Sequence, residues 1–270
     1  MKGYRFKLGD DCRIASTAII SDSVVLGSRV FIEAGAILHE KVVIGDGCFI
    51  GPHVILGEPT RAYYQNPTQY ESEPTTVGPR SIIRANTCIY AGVRIGEEFE
   101  CGPFVNIREG TVIGSRCRIG SYCDIQGECT IGDACRFHSS VHIAQFSTIG
   151  NFVWMFPYVL TLNAPIAPIP PDMQLLGPTI GDYSVILSRS LLMARVMLGK
   201  NVVIGANSRV TKDFGDWVMA TGDPAKEICD SRKFICSYDG KLYRPFPWMR
   251  HRLEEYPSHE QIPPEWELHS

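Results

Sequence analysis

The chain has 270 residues and a mass of 30.0 kDa, with 26 Lys and Arg against 29 Asp and Glu, a formal charge of −3 and a pI near 6.2. That balance argues against a bulk nucleic-acid or membrane-surface binder, which needs a basic stripe, while 20% charged and 44% hydrophobic residues describe a folded globular chain. No apolar run approaches the about 18 residues of a membrane span, and Met1–Asp10 lacks the apolar stretch of a signal peptide, so a cytoplasmic protein without nucleic-acid or membrane partners is expected.

From the N-terminus onward, apolar residues recur at every sixth position. The series runs through Ile14, Ile20, Leu26, Ile32, Leu38, Ile44, Ile50 and Leu56. It resumes at Ile83, Ile89, Ile95, Cys101, Ile107, Ile113, Ile119, Ile125, Ile131, Phe137, Ile143, Ile149 and Met155, and again at Ile180, Ile186, Leu192, Leu198, Ile204 and Val210. Gly often follows the key residue, as at Gly45, Gly96 and Gly114, and a small residue such as Val30, Ala36 or Val105 sits four positions after it. A six-residue unit fits neither the helical 3.6 nor a long alternation of two. It fits short strands joined by corners, with three units to a triangular coil, each coil burying its apolar edge against its neighbours. The series predicts an all-β prism of about nine such coils over residues 1–212.

Two breaks predict projecting loops, a polar, Tyr-rich one near 57–82 and a stiffer Pro-rich one near 161–178. Long excursions from a regular scaffold are usually functional. After Val210 the period stops, so residues 213–270 read as a closing cap and a short irregular or helical tail, with a helix near Met249–Glu255.

The repeat also accounts for most of the ten cysteines. Cys48, Cys117, Cys123, Cys129 and Cys135 take the small inward slot and Cys101 is a key residue, which predicts packing rather than disulfide or metal chemistry. Cys229 and Cys236 lie in the tail with no second pair, so a zinc ribbon is unsupported.

Steps of one coil, 18 residues, bring Asn106, Asp124, His142 and Leu160 into one column. A carboxylate one strand spacing, ~4.8 Å, from an imidazole orients it and raises its basicity, which a general base requires. His138, beside Ser139 and Ser140, is the other candidate base, and either histidine could equally be a surface residue. A zinc reading lacks a third histidine at a matching edge, and no metal is expected. Arg118, Arg136 and Trp154 form a second column suited to a phosphate and a ring. Arg84, Arg108 and Glu109 lie on outward positions near the first loop and are candidate substrate contacts.

The repeat, followed by Ser208-Arg-Val-Thr-Lys-Asp and Gly222-Asp-Pro-Ala-Lys226, resembles the hexapeptide-repeat acyltransferases. This resemblance implies a left-handed parallel β-helix, and in the closing segment a small-residue turn followed by a short helix. It implies acetyl-CoA as co-substrate, bordered by the last coils and the turn, and so points to Ser188, Ala206, Lys212, Ala220, Gly222, Pro224 and Lys226, with Trp154. Ile83-Arg-Ala-Asn-Thr-Cys-Ile-Tyr-Ala-Gly-Val-Arg, Asn106-Ile-Arg-Glu-Gly, Glu58-Pro and Phe156–Asn163 are similar to the bacterial N-acetyltransferases of nucleotide-linked amino deoxysugars. That likeness implies a nucleotide-sugar acceptor contacted by residues such as Asn163, a homotrimer with sites between adjacent prisms, and a role in surface-polysaccharide or lipopolysaccharide biosynthesis. The sequence departs from the galactoside and xenobiotic acetyltransferases in having no histidine between Thr161 and Pro178. O-acetylation of a saccharide hydroxyl and a non-catalytic β-helix scaffold stand as the rival readings.

Overall fold

The computed structural model describes residues 7–165, 169–170 and 172–233. The six-residue period becomes a succession of strands two to four residues long, each joining the next of three faces in turn. On the first face Lys7 pairs with Val25 and Val25 with Val43; on the second Arg13 pairs with Phe31; on the third Ile19 pairs with Ile37, all parallel. The fold is a left-handed parallel β-helix.

Local chemistry explains this winding. Each strand presents one residue outward and the key residue inward, and Ile107, Ile125 and Ile143 are fully buried. The small residue before the next strand completes the interior, as with Val105, Cys117 and Cys123. At the corners the third residue after the key turns to positive φ, +59° at Phe104, +60° at Tyr122 and +61° at Ser140. A non-glycine residue there costs roughly 1–2 kcal/mol. A bond between coils offsets it, from the Tyr122 N–H to the Pro103 carbonyl at 3.2 Å and from Ser140 to Ser121 at 2.9 Å. Glycine after the key residue has a steric cause: a Cβ at Gly120 would lie 2.5 Å from the Ser139 nitrogen of the next coil.

The prism is longer than nine coils. Its three ladders hold ten, twelve and ten strands. Three units escape the apolar series: Leu8 precedes it, Val77 closes the first loop and Thr161 is polar. Thr161 is nevertheless fully buried, and its hydroxyl satisfies the Ala144 N–H at 2.7 Å. The first loop is accordingly shorter than 57–82. Strand Ile55–Glu58 continues through Gly57, and strand Thr75–Val77 returns in register with Val42–Ile44. A short helix, Arg61–Gln65, stands in that loop, with Tyr63 packed edge-on against Tyr64 and Tyr70. The second loop begins after Leu160–Thr161 and ends at Thr179, one residue inside the expected start.

The closing segment also differs from expectation. Val218–Gly222 adds to the second face and Ala225–Asp230 folds back antiparallel on it, so a hairpin stands where a helix was expected, followed by a single 3₁₀ turn at Ser231–Lys233. Backbone pairing to the exposed edge of the second face outweighs local helix preference here. The helix expected near Met249–Glu255, and Cys236, lie outside the described residues.

Candidate active site

The third face carries a column of outward residues in unbroken register: Asn106, Asp124, His142, Leu160, Leu191 and Arg209. Parallel stacking at one strand spacing brings the carboxylate and the imidazole together, with His142 Nδ1 3.0 Å from Asp124 Oδ2. Asn106 donates to Asp124 Oδ1 at 2.9 Å, and Gln126 donates to Oδ2 at 2.6 Å. Burial pushes the Asp124 carboxyl up, but the bonds from His142, Asn106 and Gln126 outweigh it and hold the group below the ordinary carboxylate range. An ionised Asp124 can only accept, so the proton between the two groups sits on Nδ1. Nε2 of the neutral ring is then a lone-pair acceptor.

Arg108 extends this network. It donates to Gln126 Oε1 at 3.4 Å, pairs with Glu109 at 2.7 Å and lies 5.6 Å over the Tyr90 ring. Arg108 and Glu109 therefore reach Asp124 through Gln126. The sequence concealed that link, because it depends on how far the Gln126 and Arg108 side chains reach and not on the repeat. Beyond His142, an open groove of about 470 Å³ is lined by Tyr158, Leu160, Arg189, Ser190 and Leu191. Of these only Leu160 stood in the column read from the sequence.

The other expected residues distribute as follows. His138 lies at the corner after the second face, stacked on Phe156 at 4.9 Å and Trp154 at 5.9 Å. Rings thus cover one side of it. Burial first, and then the charge of Arg136, hold His138 below the ordinary histidine value, whereas His142 has a carboxylate partner. The Arg118, Arg136 and Trp154 column is present, with Arg136 5.7 Å over the Trp154 ring. Arg84 pairs with Glu100 at 2.8 Å on the second face, away from the Asp124 column. Asn163 opens the second loop, and its carbonyl accepts from Leu176 at 3.0 Å.

Ser188 and Ala206 sit at corners next to Arg189 and Asn207, respectively. Lys212 stands 5.4 Å over Phe214. Gly222, Pro224 and Lys226 form the hairpin, whose Asp223 accepts from Arg209 Nε at 2.6 Å and so ties the turn to the third face. Ala220 is a correction. It is an inward residue with no exposed surface, paired beside Ile204, and so cannot touch a ligand. Among the described residues no group of three His, Cys, Asp or Glu side chains is placed to hold a metal ion, and no helix is long and apolar enough to cross a membrane.

Residues 23–58, 110–145 and 177–212 match the bacterial transferase hexapeptide (six repeats) family. A galactoside O-acetyltransferase from Lactococcus lactis is 36% identical over 101 residues, 35% of this chain and 46% of the relative, so the chain matches about half of that protein's length. Among solved structures, the Arabidopsis UDP-N-acetylglucosamine acyltransferase is similar at 19% identity and a TM-score of 0.42, over 80% of this chain and 73% of that one. A Caulobacter crescentus protein solved with CoA and GDP-perosamine is similar at 16% identity and a TM-score of 0.26, over 56% and 72%. The matched repeats lie on the ladders that build the prism, so over these three segments the chain is similar to the bacterial transferase hexapeptide (six repeats) family.

Proposed function

We propose that the protein transfers an acetyl group from acetyl-CoA to the amino group of a nucleotide-linked amino deoxysugar, with His142 as general base and Asp124 as its positioning partner. The observation that carries this reading is the Asp124-held imidazole beside an open groove. As the amine attacks the thioester carbonyl, Nε2 of His142 takes its proton. The Asp124 carboxylate stabilises the imidazolium, which then returns the proton to the departing thiolate. Leu160 and Leu191 offer an apolar strip for the pantetheine, leading in three strand steps, about 14 Å, from His142 to Arg209 and the Gly222–Pro224 turn. Ser188, Ala206, Lys212 and Lys226 flank that path in this reading, and Arg108, Glu109 and Asn163 remain candidate acceptor contacts. The reading includes a homotrimer with sites between adjacent prisms and a cytoplasmic place in surface-polysaccharide assembly.

Thiol release measured with UDP-, dTDP- and GDP-linked amino sugars and with their hydroxyl counterparts tests it. Turnover confined to amines supports the proposal, and turnover confined to hydroxyls overturns its acceptor. The match to a galactoside O-acetyltransferase favours that second reading, O-acetylation of a sugar hydroxyl, at the same histidine. A hydroxyl nucleophile needs a stronger base than an amine, so loss of His142 would then cost more.

A further inference from the structure

The corner between the second and third faces places one residue of each coil in a single row: Phe104, Tyr122, Ser140, Tyr158 and Arg189. All have φ between +59° and +64°. The backbone keeps register along the row, with Tyr122 bonded to Pro103, Ser140 to Ser121 and Tyr158 to Ser139. Where rings occupy consecutive places they stack. Phe104 and Tyr122 lie 5.1 Å apart and 1° from parallel, and at another corner Phe152 and Tyr183 lie 5.0 Å apart and 4° from parallel. Ser140 interrupts the row. Tyr122 and Tyr158, 62% and 64% exposed, flank the gap from two coil steps apart, about 10 Å.

A gap of that width between two aromatic rings accepts one further ring about 5 Å from each, within the range of favourable ring stacking. We propose that the Ser140 slot holds the pyranose ring of the acceptor sugar. The apolar C–H faces of a pyranose suit two tyrosine faces, and the hydroxyls of Ser139 and Ser140 supply hydrogen bonds at the floor of the slot. Ser140 lies in the corner two residues before His142, which opens the strand His142–Ile143. Arg189, one step beyond Tyr158 in the row, is the type of cation that grips a phosphate attached to such a sugar. This assignment rests on the acetyltransferase reading for its substrate, but the slot is tested by binding alone.

The decisive variant is Ser140→Tyr, which fills the slot with the ring its neighbours carry. Tyr122 and Tyr158 show that tyrosine tolerates this backbone conformation, so the variant folds, and a melting temperature at or above that of the native protein checks it. Saturation-transfer NMR on the full chain, with methyl glucosaminide as the probe, is expected to show ring-proton transfer in the native protein and none in Ser140→Tyr. Tyr158→Ala is expected to weaken binding roughly tenfold. Transfer that survives in Ser140→Tyr overturns the slot. So does an absence of transfer in the native protein accompanied by an altered sedimentation coefficient in Ser140→Tyr, which would make the row a contact between copies. In turnover assays the acceptor KM is expected to rise at least tenfold in Ser140→Tyr with the acetyl-CoA KM unchanged. Sugar binding that Ser140→Tyr abolishes, in a native protein that releases no thiol with any acceptor, would uphold the slot and sink the transferase reading.

Discussion

Asp124 sits where two opposing influences meet. Burial favours its neutral form, and three hydrogen-bond donors favour the carboxylate and prevail. Its folded value is depressed below the ordinary carboxylate value, so its contribution to stability is complete above that ordinary value and is lost as the pH falls through the folded one. The destabilisation caused by Asp124→Asn, read from urea melts, is therefore expected to be largest near neutral pH and to vanish in acid; a constant difference across pH 3–7 would contradict it. In Gln126→Leu the Asp124 carboxyl loses a donor, and its carboxyl carbon should titrate at a higher pH by NMR than in the native protein. On the catalytic side, His142→Ala and Asp124→Asn should each lower kcat by roughly 10²–10⁴, the second because an amide at 124 no longer fixes the proton on Nδ1. Native rates in both variants would remove His142 from the mechanism. The pair was legible in the sequence because parallel stacking converts a step of 18 residues into contact. The link from Arg108 through Gln126 to Asp124 was not, since it is made by side-chain reach across the column rather than by the repeat.

At the level of elements, a strand of two residues is held by its inward side chain and by its neighbours above and below. Ile107 is fully buried, and Ile107→Ala should cost about 2–5 kcal/mol in urea melts; a cost below about 1 kcal/mol would mean the interior collapses around the gap. The cysteines obey the same logic. Burial raises Cys101, Cys123 and Cys129 to about 11, and raises Cys135 as well, where the Cys117 thiol adds to the effect. A thiol reagent at pH 8 is expected to leave these four unmodified in the native protein and to modify them on unfolding, detectable by mass spectrometry. The strands themselves were plain from the apolar period, but their ends at the loops were not. Val77 lies behind a 16-residue excursion spanning 59–74, and Thr161 fills a key position with a hydroxyl that bonds the Ala144 backbone. The hairpin at Val218–Asp230 was hidden for a different reason, because its second strand is specified by an available sheet edge rather than by its own pattern.

Across the whole molecule each coil touches only the coils before and after it, so stability accumulates along the stack and need not be uniform. The two ends are finished differently. At the start, Leu8 and Ile19 are 41% and 64% exposed, and the inward residues Ile14 and Ile20 are only half-buried. At the far end the hairpin extends the second face, Ala220 is fully buried and Phe214 is 6% exposed beneath the last coil. Among the described residues the first coil therefore opens by breaking a single interface, through bonds such as Lys7 N–H to Val24 and Arg13 N–H to Val30. Opening the coils around Asp124 and His142 requires breaking two. Native-state hydrogen exchange is expected to show the amides of Lys7, Arg13 and Ile19 exchanging well before those of Asn106, Asp124 and His142. Equal protection at the two places would mean that the prism opens as one cooperative unit, and that the site does not gain its rigidity from lying several coils inside the stack.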